Sequence, residues 1–195
     1  VKVALSSVVA LFGTYQIAAN GVAQSIWSLA ALVGVTMGPV FITVIGQCMG
    51  AKDIDSAHYY FKKLMKITLI FSVIWNVFIF AITPLFLQYY QLSSQTKYLI
   101  FILVIIHNLF NTITAPFSGP LSNGLRATGD VKFTMVVSIL STVVVRGILS
   151  IIFGITLNLG VIGIALAMCA DWSMRAIVFH LRYKSDKWTQ FSVIE

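Results

Sequence analysis

Three ionisable side chains interrupt apolar sequence in the second half of the chain: Arg146, Asp171 and Arg175. A charge inside a long apolar segment is costly, tends to pair, and in membrane proteins marks ion or substrate paths. Asp171 and Arg175 stand i,i+4 on one helical face. At 1.5 Å per residue, Arg146 lies about 20 Å along its own segment, and Asp171 reaches a similar height from the opposite direction. The spacing therefore predicts that Arg146 and Asp171 meet across two neighbouring helices. One chemistry for such a pair is a packing ion pair that locks the helices together. The other is a protonatable or ion-binding carboxylate in a transport path, and Asp171 is the only acid inside an apolar segment.

A second polar group lies earlier. His107 and Asn111 share a helical face at i,i+4, with Asn108 alongside. Pro116, Ser118, Gly119 and Pro120 follow, a stretch expected to break the helical ladder. Broken backbone at membrane depth is tolerated where protein or a water-filled cavity covers it, and such breaks point to transporter binding sites. Interhelical hydrogen bonding by the amides is the alternative role. Gln24, Trp27 and Ser28 either line a cleft or anchor a helix at the interface. Gly34 and Gly38 give a close-packing spacing, and Pro39 predicts a kink. Cys48 and Cys169 lack CxxC spacing and read as small apolar residues. Neither a catalytic constellation nor a phosphate-cradling glycine loop is present in the sequence, and no metal ligand set can be named from it. The reading is therefore not that of an enzyme.

These residues need elements that hold them within a bilayer. Of 195 residues, 58% are hydrophobic and 10% charged, and mean hydropathy is +0.93. A soluble domain carries roughly 25% charged residues, so a water-soluble globule is excluded. A helix needs about 20 mostly apolar residues to cross the hydrocarbon core. Six predicted spans follow, at about 1–18, 22–48, 65–87, 98–121, 133–156 and 160–181. The fold class is all-α integral membrane. The chain begins at Val1, already apolar, and reads as a piece of a longer protein with its first helix cut into.

Net charge is +7, but the Lys and Arg sit at the ends of apolar runs and not on an aromatic-interleaved face, so no nucleic-acid partner is indicated. Lys52, Lys62, Lys63 and Lys66 form one group, Arg126 and Lys132 a second, and Arg182, Lys184 and Lys187 a third. With six spans, all three fall on one side, and Lys2 fits with them. Positive-inside bias makes that side cytoplasmic and places the C-terminus there. Tyr89, Tyr90 and Tyr98 suit an outer aromatic belt, and Trp188 an inner one. Between Gly50 and Lys63, Asp55 or Ser56 is expected to cap a short interfacial helix, with His58 solvated on its surface.

Several strings resemble a known family. Gly46-Gln47-Cys48-Met49-Gly50-Ala51-Lys52, followed by Ala57, resembles the second half of the multidrug and toxic compound extrusion (MATE) family, as does Ile17-Ala18-Ala19-Asn20. Leu125-Arg126-Ala127-Thr128-Gly129-Asp130 is similar to the family's leucine-arginine-x-x-glycine-aspartate turn, and Arg146 and Asp171-Trp172 match its pattern. The resemblance implies a twelve-span transporter of two pseudo-symmetric lobes, with residues 1–195 as the C-terminal six-helix lobe. It implies exchange of protons or sodium ions for organic, often cationic, drugs and toxins at the cell membrane, with no cofactor. The partners are then the missing N-terminal lobe, small organic substrates and the bilayer. The Arg126–Asp130 turn would be a structural hinge corner.

One subgroup of the family carries an acid in the first helix of this lobe, upstream of Val1 here, and another in the fourth, where Ala115 stands. The coupling carboxylate is then outside this chain or is Asp171. A lipid-linked saccharide flippase of the same superfamily would need a strongly basic cavity for pyrophosphate, whereas only Arg146 and Arg175 are available. A non-transporting membrane subunit, or an intramembrane enzyme using His107 and Asp171, is the reading from another class.

Overall fold

Long apolar runs become long helices. The structure, a computed structural model, describes residues 2–191, with side chains described from residue 6 onward. Helix α1 spans Lys2–Ala10, α2 Thr14–Ala30, α3 Leu32–Gly50, α4 Ile54–Tyr89 and α5 Ser94–Ser118. Helix α6 spans Pro120–Ala127, α7 Val131–Leu140, α8 Arg146–Ile151 and α9 Gly160–Lys184. Residues Ser141–Val145 and Ile152–Thr156 are π turns on either side of α8, so Val131–Thr156 runs as one bent rod. Five stretches are long and apolar enough to cross a membrane: Leu32–Gly50, Ile54–Tyr89, Ser94–Ala127, Val131–Thr156 and Gly160–Lys184.

Several boundaries differ from the sequence reading. The first helix ends at Ala10, and Thr14 already opens the next; Gly13, at φ 89°, makes the break. Hydropathy misses it because Leu11 and Phe12 are themselves apolar. The expected gap near residues 19–21 is helical, and α2 and α3 meet at Ala31, a single non-helical residue that keeps αR geometry. The expected interfacial helix does not exist separately: residues 54–89 form one helix. Its cap is Asp53, not Asp55 or Ser56. The Ser56 backbone N–H donates to Asp53 at 2.9 Å and its hydroxyl at 2.7 Å. Those two bonds, the backbone one first, hold the Asp53 carboxyl below its ordinary value. Lys2, counted with the basic groups, has its side chain outside the described residues.

The helices close on two large apolar cores, with a small cluster of Met168, Cys169 and Trp172 besides. One gathers Ala19, Ala23, Ile26 and Ala30 of α2 with Ile100, Leu103 and Val104 of α5 and Val161, Ile164 and Ala165 of α9. The other gathers Phe41 and Ile45 of α3 with Phe61 of α4, Leu121 and Leu125 of α6, and Phe179 and Tyr183 of α9. Gly38 belongs to a close approach, because a Cβ there would meet Asn123 Nδ2 at 2.5 Å. Gly163 is a second, its Cα facing the Phe153–Gly154 backbone so tightly that a side chain would collide with it. Large apolar residues such as Phe71, Ile74, Val77 and Phe78 remain on the outer face of α4, as a lipid-facing surface requires.

The α6–α7 corner is pinned. Arg182 of α9 donates to Asp130 Oδ2 at 2.6 Å and lies over the Phe133 ring at 4.6 Å. Arg126 Nε donates to Thr134 at 3.3 Å. The chain end is clasped too. Trp188, expected as an interfacial belt residue, is instead 0% exposed. It donates its Nε1–H to the Tyr183 carbonyl at 3.0 Å. Around it pack Phe61 at 5.1 Å and His58 at 4.7 Å, both edge-on, and Tyr183 stacks in parallel at 6.1 Å. His58 is therefore a packed residue, with Nε2 3.5 Å from Asp186, and not a free surface histidine. The indole of Trp188 fills a space beside three rings that no interface position offers.

Replacing a fully buried Trp by Ala costs about 3–5 kcal/mol. Trp188→Ala is expected to lower the thermal unfolding midpoint of the detergent-purified protein strongly, and Trp188→Phe only partly. An unchanged midpoint for the Ala variant would show that the clasp contributes nothing.

Candidate functional site

Between the two apolar cores lies a layer of polar side chains, one contribution from nearly every helix that crosses it. Helix α4 supplies Thr68, Ser72 and Asn76 at a strict spacing of four, each no more than 3% exposed. Helix α5 supplies His107, Asn108 and Asn111, the π turn supplies Ser141, α8 supplies Arg146, and α9 supplies Asp171 and Arg175. Apolar residues precede and follow each of these groups along its helix, which fixes the layer at mid-bundle depth.

Asp171 is 0% exposed and both its oxygens are engaged. Ser141 Oγ donates to Oδ1 and to the Asp171 carbonyl. Arg175 Nη2 donates to Oδ2 at 2.7 Å. The expected Arg146–Asp171 pair does not form. Arg146 turns its Nη2 to the Met168 thioether, 2.8 Å away, and its Nε has no partner among the described residues. Helical height brought Arg146 near the right depth. The partner was decided by azimuth: Arg175, one turn on along the same helix, reaches Asp171 without crossing between helices.

His107 is 1% exposed, and neither ring nitrogen has a partner among the described residues. Its ring lies 6.4 Å from Trp27 and 6.0 Å from Trp172, and those two indoles stack at 5.2 Å. No hydrogen bond joins His107 to Asp171, whose oxygens are taken by Ser141 and Arg175. Asn111 donates to the Ala30 carbonyl at 3.2 Å, at the α2–α3 junction, and to Asn76 Oδ1 at 3.3 Å. It therefore fastens three helices, as an interhelical amide does. Asn108 faces a separate groove with Asn76 and Thr112. Gln24 is half-buried on α2 and lines none of the cavities described here.

A cavity of about 440 Å³ opens from this layer where the α2–α3 junction, the α5–α6 break at Gly119 and helix α9 converge. Its lining includes Trp27, Asn111, Ser118, Asn123, Trp172 and Arg175. Pro116 stays inside α5, and the expected break falls at Ser118–Gly119, with Pro120 opening α6. Ala115 is one of the lining residues, and no Asp or Glu among the described residues lines the cavity. Ser141, Asn76 and Asn123 were missed by the sequence reading. For Asn76 the signal was present, in the Thr68, Ser72, Asn76 spacing; for Ser141 and Asn123 nothing short of packing identifies them. Among the described residues no group of three His, Cys, Asp or Glu could hold a metal ion.

The MatE family model matches residues 1–152. A curated relative, the uncharacterized transporter YisQ of Bacillus subtilis (strain 168), is 27% identical over 191 residues, which is 93% of this chain. The chain spans about 40% of that relative's length. Among solved structures, a MOP superfamily transporter from Pyrococcus furiosus, described by a reverse polarity of its binding pocket, superposes with TM-score 0.83 at 21% identity. It is matched over 98% of this chain and 42% of its own. A MATE structure in complex with MaL6 gives TM-score 0.80 at 20% identity, over 95% of this chain and 41% of its own. An outward-facing multidrug resistance MATE transporter of the MOP superfamily gives 0.75 at 21%, over 98% and 43%. At these identities the solved structures share the fold.

Removing one partner of a buried ion pair costs about 3–5 kcal/mol, because the other charge is left uncompensated. Arg175→Ala is expected to destabilise the protein on that scale, and Asp171→Asn with Arg175→Gln to recover most of the loss. In a double-mutant cycle read by thermal unfolding, coupling of Asp171 to Arg175 should exceed its coupling to Arg146. The reverse order would mean that Arg146 is the working partner.

Proposed function

The chain belongs to the MatE family of multi-pass membrane transporters, and from that premise we propose that it forms the C-terminal six-helix lobe of a twelve-span antiporter. In this reading the whole protein exports organic compounds, drugs and toxins among them, in exchange for protons or sodium ions. Its N-terminal lobe supplies the facing wall of the substrate cleft, and the C-terminus lies in the cytoplasm. The basic groups at one end of the bundle support that orientation.

The observation that carries the proposal is the 440 Å³ cavity at the meeting of two interrupted helices and α9, lined by both indoles and Arg175. Irregular backbone at membrane depth belongs beside a cavity or buried in protein, and discontinuous helices build transporter sites. The size lies in the range of drug-sized pockets, about 300–1,000 Å³. A multidrug resistance transporter among the similar folds supports organic compounds as cargo. Asp171 serves in this reading as the anchor that aims Arg175, since Ser141 and Arg175 already take both its oxygens.

The test is export by the full-length protein in proteoliposomes. Dye efflux should appear when a proton or sodium gradient is imposed and vanish when it is collapsed. Failure to export any of a chemically varied dye set under either gradient would overturn the antiporter reading. Asp171→Asn, if it folds, should keep its gradient dependence. Loss of that dependence in a folded variant would make Asp171 the coupling carboxylate instead.

A further inference from the structure

We propose that the cavity bounded by Trp27, Trp172 and Arg175 is a subsite for an organic anion carrying a flat aromatic ring, and that it disfavours organic cations. This rests on the export reading and narrows its substrate class.

Three observations lead there. The first is the charge inventory of the layer, in which Arg146 and Arg175 face a single carboxylate. That carboxylate, Asp171, is fully buried behind its Ser141 and Arg175 bonds. Of the two members of the ion pair, Arg175 lines the cavity and Asp171 does not. A cation entering would meet Arg175 and find no acid among the described lining residues.

The second is the donor set. Arg175 spends Nη2 on Asp171 Oδ2, and 21% of its side chain stays exposed while Asp171 is fully covered. A guanidinium has five N–H donors in a planar fork that matches a carboxylate or sulfonate. Asn123 adds an amide at the same wall. Donors that end at an anionic oxygen form charge-assisted bonds, which are about twice as strong as neutral ones.

The third is the aromatic wall. Trp27 and Trp172 stack with planes 15° apart and centroids 5.2 Å apart, and both line the cavity. They present rigid indole surface to a ring while Arg175, one turn along α9 from Trp172, stands where the anionic group of the same molecule falls. Ring and charge are thus read together.

Fluorescein and rhodamine 123 share a xanthene ring and carry opposite charge, so they isolate the charge term. Fluorescence polarisation with the full-length transporter in detergent, corrected for the micelle, should show fluorescein binding about tenfold or more tightly than rhodamine 123. Asp171→Asn with Arg175→Gln removes both charges of the pair at once and should abolish that preference. Trp27→Leu and Asn123→Leu lie outside the ion pair, and each should weaken fluorescein several-fold without loss of the folded melting transition.

Equal or tighter binding of rhodamine 123 overturns the proposal. So does a preference that survives in a folded double variant. If the double variant does not fold, unchanged fluorescein affinity in both Trp27→Leu and Asn123→Leu overturns it. Vesicle export separates the two readings. Gradient-driven export that favours rhodamine 123 defeats the anion subsite alone. Absence of export for either dye, with the binding preference intact, defeats the antiporter reading alone.

Discussion

The lobe is organised around one costly act, the burial of the Asp171 carboxylate at the middle of the bundle. An ion there is stable only where hydrogen bonds and an opposite charge replace water. Arg175 supplies the charge from the same helix, and Ser141 supplies a hydroxyl from the neighbouring rod. The Ser141 contact arises at the start of a π turn, where the helix over Val131–Thr156 is underwound and takes an extra residue into the turn. The ion pair's third partner therefore stands at a π turn, in line with the tendency of such turns to sit at functional positions. Arg175 in turn owes its place on the cavity wall to the carboxylate that holds it.

The same layer explains where the helices break. Junctions at Ala31 and at Ser118–Gly119 both fall beside the cavity, and Asn111 ties the first of them to α4 by donating to the Ala30 carbonyl and to Asn76. An interrupted helix leaves carbonyls without their usual partners, and in lipid those groups need an internal substitute. Asn111 is such a substitute. The amide expected from sequence as either a binding group or a helix fastener makes the fastening bonds and also lines the cavity that the breaks shape.

Much of the architecture was legible because bilayer thickness imposes a length on apolar runs, and the later spans fall close to their expected ends. What hydropathy could not read was a break made by conformation alone. Gly13 interrupts a helix between apolar neighbours, and Asn20-Gly21, which looks like a turn, is helical. Within the polar layer, Asp171 and Arg175 pair along one helix as their i,i+4 spacing predicts, and the expected Arg146 contact across two helices does not form. Arg146, Asp171 and Arg175 were visible as costly charges, yet sequence height alone cannot tell a crossing contact from one along the same helix. Trp188 failed for a similar reason. A tryptophan near a basic chain end suits an interface by type, and only the packing of Phe61, His58 and Tyr183 shows that it is buried.

The two apolar cores differ in composition for a physical reason. Lipid tails are as apolar as leucine, so within the bilayer apolar burial gives helices little reason to associate, and close packing of small residues takes over. The core on the α1 side of the polar layer follows that rule, with Ala19, Ala23, Ala30 and Ala165 at its centre and Gly163 nearby at backbone contact. The opposite core is built from Phe41, Phe61, Phe179, Tyr183 and Trp188, and its rim carries Lys62, Lys63 and Arg182. Those charges mark water, and where water is the competing solvent the burial of large rings is favourable in its own right. One end of the lobe is therefore held by shape and the other by the hydrophobic effect. The polar layer between them is held by neither, which is why its cohesion rests on so few named bonds: Ser141 and Arg175 to Asp171, Asn111 to Asn76 and Ala30.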